Sequence, residues 1–423
     1  MDQQTPPPVA PPLEPPAPQL RDHELDEQLS AVATDVIAWR RRFHQHPELS
    51  FQEHKTAAFI EQTLQSFGIE TFRPTETSVV GTLRGDLGDG PIIGFRADID
   101  ALPITEETGL PFASMVPGVM HACGHDAHTA MLLGAAKVLA SRRHRLRGRV
   151  VFMFQHAEEQ IPGGARELVQ LGVLDGMDYV YAFHMAPHPV GTVGLTRGRV
   201  TTISGIVDVT VKGRGTHSSR PQLGVDPVLI SAEITMALNT IVSRDLDPSH
   251  TNIVNVGSLH SGAAGNVIPD TARLEISMRS IDEDDWDVIR RRIDMLINGI
   301  CTAHGATADI DWKVPYPMVV NDDTAMERAW EAATKILGSD KVFRAEPWQP
   351  SDDFAYMSRA VPGCYMFLGG GGEEAGHPYF LHNSKYDLDE TALHAGTSVE
   401  VQLVLDLLGD KPSLRRPMLD MDD

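Results

Sequence analysis

Cysteine is scarce in this chain of 423 residues: Cys123, Cys301 and Cys364 are its three thiols. So few, and an odd number, cannot staple a disulfide framework. The fold must therefore rest on a hydrophobic core, and a reducing cytoplasm is the expected compartment. Basic charge is also short, with 36 Lys plus Arg against 58 Asp plus Glu and a formal net charge of −22. So acidic a surface argues against nucleic acid or anionic membrane as a partner, while a locally positive pocket can still take a small anionic substrate. Residues 1–20 hold eight prolines and no apolar stretch of the kind a signal peptide or membrane anchor needs. The expectation is a disordered, polyproline-II-leaning tail over residues 1–22, with a second, acidic tail over 411–423.

What is present reads as a globular protein. At roughly 150 residues per domain, the length predicts two or three domains. Three short apolar runs end on residues that do chemistry: Pro91 to Phe95 leads to Asp98 and Asp100, Val150 to Phe154 to Glu158 and Glu159, and Tyr179 to Phe183 to His184. Continuous apolar runs of this length, alternating with helical patterns, predict buried parallel strands. In open α/β sheets the ligand site lies beyond the carboxyl ends of such strands. Helices are predicted over residues 23–45, 53–67, 129–140, 164–171, 324–336 and 390–408, with a further strand at 364–368.

Near residue 200 the pattern changes to period two. Val207, Val209 and Val211 alternate with polar residues, as do Ala272, Leu274, Ile276 and Met278, and then Ala308, Ile310, Trp312 and Val314. Such strands bury one face, as in an antiparallel sheet. With a strand at 252–259 and helices at 226–242 and 284–301, the order is β-α-β-β-α-β, that of a ferredoxin-like unit. The expected architecture is an α/β catalytic, metal-binding domain of the metallopeptidase type (23–200 and 316–410), interrupted by an inserted ferredoxin-like domain (201–315).

A lone C-x-H such as Cys123/His125 is ordinarily a buried thiol beside a capping residue. Glu158, Glu159, His184 and His382, each at a strand or loop end, turn it into a plausible set for one or two zinc-like ions. Adjacent glutamates at a strand end point in different directions, so one can coordinate metal while the other stays free as a general base. Asp98 and Asp100 are placed to orient a ligand imidazole.

R-R-F-H-Q-H-P-E-L-S (41–50), F-R-A-D-I-D-A-L-P (95–103), H-A-C-G-H-D-A-H-T-A (121–130), H-A-E-E (156–159), F-H (183–184), G-N-V-I-P-D (265–270), S-D-D-F-A-Y-M (351–357) and L-H-N-S-K-Y-D (381–387) occur in this order. Together they resemble the N-acyl-amino-acid amidohydrolases, the branch of the aminoacylase/carboxypeptidase metallopeptidases that includes hippurate and auxin-conjugate hydrolases. The resemblance spans residues 25–408. It implies metal ligands at Cys123, His125, Glu159, His184 and His382, holding two divalent ions per subunit (zinc, manganese, cobalt or nickel), with Glu158 as general base. It implies that the inserted domain dimerises, giving a homodimer or homotetramer. That domain would supply His217 to polarise the scissile carbonyl, often from the partner subunit, and Asn266 and Arg279 to bind substrate, with Arg279 suited to a carboxylate. His156, Ala127 and Thr216 depart from the pattern, where proline, glycine and glycine are common, without removing a ligand or the base.

The reaction this implies is cleavage of the amide of a small N-acyl-amino acid. Two other classes compete: a related dipeptidase or carboxypeptidase using the same ligands, and a non-catalytic scaffold of the same fold. An intact Glu158 beside a full ligand set weighs against the scaffold.

Overall fold

The computed structural model describes residues 22–409. The two predicted tails lie outside it except for Asp22, which is not tail. Asp22 caps the first helix, α1 (His23–Gln45), by accepting the N–H of Leu25, and its carboxylate pairs with Arg142 (2.9 Å).

Among the described residues an eight-stranded mixed sheet forms from β1 (Glu70–Phe72), β2 (Val79–Arg84), β3 (Ile92–Asp98), β4 (Arg149–Gln155), β5 (Tyr179–Ala186), β6 (Val193–Leu195), β15 (Val342–Arg344) and β16 (Gly363–Gly369), in the order β1-β2-β4-β3-β5-β16-β6-β15. The apolar runs read from sequence are its centre, where β4, β3, β5 and β16 are mutually parallel. The flanks are not: β1 and β2 pair antiparallel, β2 and β4 antiparallel, and β16 and β6 antiparallel. The edge strands β1, β6 and β15 are only three residues long, too short to show a hydrophobic period in the sequence.

Alternation along β4 sorts the core into two layers. Val150, Phe152 and Phe154 join the cluster under α1, α2 (His54–Ser66), α3 (His125–Ser141), α7 (Asp323–Leu337) and α9 (Ala392–Leu408). Val151 and Met153 face the opposite cluster, under α4 (Gly164–Gln170) and α8 (Phe354–Ala360). With both faces covered, the strand ends are left for chemistry.

A separate four-stranded antiparallel sheet, in the order β10-β12-β8-β13, comprises β8 (Ile203–Lys212), β10 (Asn252–Ser261), β12 (Thr271–Ser280) and β13 (Thr307–Trp312). It carries α5 (Pro227–Arg244) and α6 (Glu283–Ala303) and has its own core, including Val207, Val209, Leu274, Ile289 and Ile293. β8 alternates buried and partly exposed positions as its period predicts. Two small ribbons complete the description: β9 (Thr216–His217) with β11 (Val267–Ile268), and β7 (Gly198–Arg199) with β14 (Val320–Asn321).

A buried charge cluster locks α1 to the start of α3. Arg40, 1% exposed, reaches Asp126 (2.9 Å), Glu390 (3.2 Å) and Asp387 (3.4 Å). His44 places Nδ1 2.8 Å from Asp126 and Nε2 3.2 Å from Glu106. Burial pushes His44 down, but the two carboxylates outweigh this and hold it up at about 9. Below pH 6.5 the imidazole is protonated in both folded and unfolded chains and the interaction is fully present. It is lost as pH rises through about 9, where the folded form gives up its proton. The unfolding free energy of the wild type should therefore fall relative to His44→Gln by roughly 3 kcal/mol between pH 6.5 and 9. A difference that stays flat in denaturant titrations across this window would contradict the assignment.

Candidate metal centre

Gly124 sets the first part of the site. It caps α3 with φ +90°, a left-handed conformation suited to glycine, and a Cβ there would meet the Met185 side chain at 2.8 Å. The turn lets Cys123, at the end of a loop, and His125, in the first turn of α3, face one spot beyond the central strands. Cys123 Sγ lies 3.5 Å from His184 Nε2. His125 Nε2 lies 3.9 Å from Glu158 Oε2 and 3.9 Å from Glu159 Oε1, and His382 Nε2 lies 3.3 Å from Glu159 Oε1. Three overlapping groups, Cys123/His125/His184, Cys123/Glu159/His382 and His125/Glu158/Glu159, have donor atoms within 4.8 Å of one another. The structure thus brings together the five expected ligands and the expected base.

The hydrogen bonds fix which nitrogens are free. His125 Nδ1 donates to the Asp100 carbonyl (2.9 Å) and His184 Nδ1 to the Met185 carbonyl (2.8 Å). Both Nε2 lone pairs therefore turn toward the cluster. His125 Nε2 and Glu159 Oε1 are buried and have no hydrogen-bond partner. Buried acceptors are ordinarily satisfied, so two orphaned acceptors among a thiol, imidazoles and a second carboxylate are what a cation site offers. The donor set suits zinc-like ions.

Without a cation, the electrostatics hold one of these ligands in its binding form and two out of it. Burial, with His128 nearby, pushes His184 down to about 3, keeping it neutral for ligation. Burial and the Glu159 and Glu158 charges hold the Cys123 thiol well above its ordinary value. For His125, burial is outweighed by Asp98 and Asp100, which hold it up at about 10. A bound cation would reverse both of these preferences and release protons. Burial, then Asp352 and Glu159, push the Glu158 carboxyl well above the ordinary range.

Asp98 and Asp100 are both fully buried at this edge. Asp98 accepts from His128 Nδ1 (2.6 Å), whose Nε2 accepts the Met185 N–H (2.9 Å), and its other oxygen lies 3.5 Å from His125 Nε2. The Asp100 carboxylate accepts the N–H groups of Glu158 (3.0 Å) and Glu159 (2.9 Å). Sequence reasoning missed the cation beneath them. Arg96, fully buried, donates to Asp98 (2.7 Å), Asp353 (2.8 Å) and Gln155 (2.7 Å), with Asp352 at 3.1 Å. A charged residue inside an otherwise apolar strand was the signal: such a group has to find buried counter-charge, and S-D-D-F supplies it from 256 residues away.

The other predicted residues stand apart. Among the described residues, His217 and Asn266 make no hydrogen bond or ion pair to the ligand set. His217 bonds Ser219, and the Asn266 carbonyl accepts the Ser218 N–H. Arg279, on β12, donates to the Gln349 carbonyl (3.3 Å). The neighbouring Trp348 ring contacts the His184 imidazole (centroids 5.5 Å apart) and Phe380 (6.1 Å), and Phe380, two residues before His382, is 53% exposed. Neither aromatic was singled out from sequence.

The family model described as Peptidase family M20/M25/M40 matches residues 94–406. The chain is 44% identical over 302 residues to an N-acyl-L-amino acid amidohydrolase of Geobacillus stearothermophilus, covering 71% of this chain and 81% of that protein. It is 38% identical to an N-acetylcysteine deacetylase of Bacillus subtilis, covering 89% of this chain and 98% of that one. A crystal structure of the Bacillus subtilis YXEP protein, described as a dinuclear metal binding peptidase from the M20 family, superposes with a TM-score of 0.74 at 35% identity, covering 89% of this chain and 99% of that one. This chain belongs to the M20/M25/M40 peptidase family, and its fold is the α/β fold of that family.

Replacing Arg96 by Met would strand three buried carboxylates. We expect a loss of about 3–5 kcal/mol in unfolding free energy. A variant as stable as wild type in urea would show that the network is not holding the strand ends.

Proposed function

We propose that this chain is a two-metal amidohydrolase that cleaves the amide of N-acyl-amino acids to a carboxylic acid and a free amino acid. The observation that carries the reading is the pair of orphaned buried acceptors, His125 Nε2 and Glu159 Oε1, set among Cys123, His184 and His382 beside a carboxyl, Glu158, whose pKa is raised. The ligands would be Cys123, His125, Glu159, His184 and His382, and the ions zinc, manganese, cobalt or nickel. When bound, the ions supply Lewis acidity toward the amide carbonyl and the attacking water. Glu158 takes the proton of that water and hands it to the leaving amine. Asp98, through His128 and the backbone of Met185, and Asp100, through the carbonyl that binds His125, keep the imidazoles oriented.

The rest of the reading concerns substrate and assembly. Arg279, held by Gln349 beside Trp348, is suited to the substrate carboxylate, and Asn266 to its polar backbone. His217 Nδ1 accepts from Ser219, so its Nε2 carries the proton and can polarise a carbonyl. Since His217 stands away from the ligand set of its own chain, a second copy is its natural source. Residues 201–315 would form an inserted ferredoxin-like dimerisation domain on a catalytic domain of 23–200 and 316–410, giving a homodimer or homotetramer. The strand order β10-β12-β8-β13 and a separate core support this. No helix among the described residues is long and apolar enough to cross a membrane, and the sparse free cysteines favour the cytoplasm.

The half-exposed aromatics fit an apolar acyl group. Release of amino acids from N-acetyl, N-benzoyl and dipeptide substrates, after chelation and metal add-back, tests the reaction. Dipeptide cleavage alone would move the enzyme to the peptidase reading. Trp348→Ala should raise KM for N-benzoyl substrates about 10-fold while leaving N-acetyl substrates within about twofold; equal effects on both would remove Trp348 from the acyl site. Glu158→Gln should lower kcat by at least about 10³-fold with metal still bound, whereas Cys123→Ala should lose at least one metal equivalent by elemental analysis. Near-full turnover in the first variant, or unchanged stoichiometry in the second, would remove that residue from its role.

A further inference from the structure

The turn that carries Glu158 and Glu159 has an uncommon backbone. Ala157 has φ +52°, in the left-handed region that a non-glycine residue enters only where its surroundings hold it. Three successive N–H groups in this turn end on carboxylates. Ala157 donates to Glu53 Oε1 (2.8 Å), and Glu158 and Glu159 donate to the two oxygens of Asp100 (3.0 and 2.9 Å). Successive N–H groups converging in this way form an anion-binding nest, and here the chain fills the nest with its own side chains.

Both carboxylates are braced by one short segment. Ser50 donates to Asp100 Oδ2 (2.7 Å), the Glu48 carbonyl accepts the Ala101 N–H (2.9 Å), and Glu53 stands at the N-cap position of α2. Glu53 is completely buried, and its Oε2 has no hydrogen-bond partner. Burial and the charge of Asp100 push it up to about 7. A carboxyl in that position is a local burden on stability. What it achieves is a partner for the Ala157 N–H, the first amide of the turn.

We propose that Glu53 is a positioning residue: it holds the 157–159 turn in its left-handed form, so that Glu158 and Glu159 leave the strand end toward different tasks. The proposal rests on the reading of Glu158 as general base.

The test compares Glu53→Ala, Glu53→Gln and Glu53→Asp, with Glu158→Gln in parallel, all as metal-loaded full-length protein. Glutamine keeps the Oε1 acceptor and should retain kcat within about threefold. Alanine leaves the Ala157 amide without an acceptor. It should lower kcat about 10²-fold, the effect of a small misplacement of a reacting group, with KM unchanged and any metal loss confined to the alanine variant and to the ion that Glu159 would hold. Amide hydrogen exchange in the 155–160 peptide should also accelerate, while the rest of the sheet stays protected. Aspartate keeps the charge but withdraws the acceptor by one methylene, so it should rank below glutamine, and this ranking stands in if the alanine variant does not fold. Wild-type kcat in alanine, aspartate matching glutamine, or equal loss of metal in alanine and glutamine would overturn the proposal. Turnover by Glu158→Gln would instead overturn the base assignment, whatever the Glu53 variants do.

Discussion

Carboxylates removed from water repel one another unless cations stand between them, and the carboxyl edge of the central sheet is organised around that constraint. Asp98, Asp100, Glu158, Asp352 and Asp353 are all buried there, with Glu159 at the rim. Arg96 answers for Asp98, Asp352 and Asp353 from beneath. Among the described residues no Arg or Lys pairs with the groups above, where Glu159 Oε1 and His125 Nε2 have no hydrogen-bond partner. A buried guanidinium below and a cluster of thiol, imidazole and carboxylate donors above make a site suited to metal.

Position follows from backbone as much as from charge. The central parallel strands bring Asp98, Gln155 and His184 to one edge. The last adjustments are made by turns in left-handed conformations, at Gly124, Ala157 and His382 (φ +90°, +52° and +65°). Two of these three are not glycine, so their surroundings must enforce the shape. Around Ala157 the enforcing groups are Glu53, Asp100 and the Tyr316 hydroxyl, which donates to the Glu158 carbonyl (2.9 Å). Strain concentrated at a functional turn is a common arrangement.

Apolar runs ending in Asp, Glu and His marked the buried strands whose ends converge, so Asp98, Glu158, Glu159 and His184 were legible as neighbours, while Cys123, His125 and His382 were assigned as ligands by resemblance. The boundaries of α1 also followed from periodicity, since Leu25, Leu29, Val32, Val36 and Phe43 form a regular buried face, whereas β10 runs two residues past the predicted 252–259. Partners distant in sequence were not legible. Arg96 meets Asp352 and Asp353, and Glu53 meets Ala157, only after the sheet has formed, and local pattern carries no trace of those pairings. His128 was hidden for another reason: it sits one turn after His125 on a helix buried nearly all round, so its spacing looks like core. His217 and Asn266 were singled out by resemblance rather than by pattern. Within one chain they lie at or beside the β9/β11 ribbon, with no hydrogen bond or ion pair to the ligand set among the described residues.

The central claim is that the convergent edge holds two metal ions. Its most direct test is a crystal of the protein grown with zinc, with anomalous data collected at the zinc edge. The account predicts two anomalous peaks, bounded by Cys123, His125, Glu159, His184 and His382 and next to the Glu158 carboxyl. A map with no peak among these residues, in crystals where zinc is bound elsewhere, would contradict it.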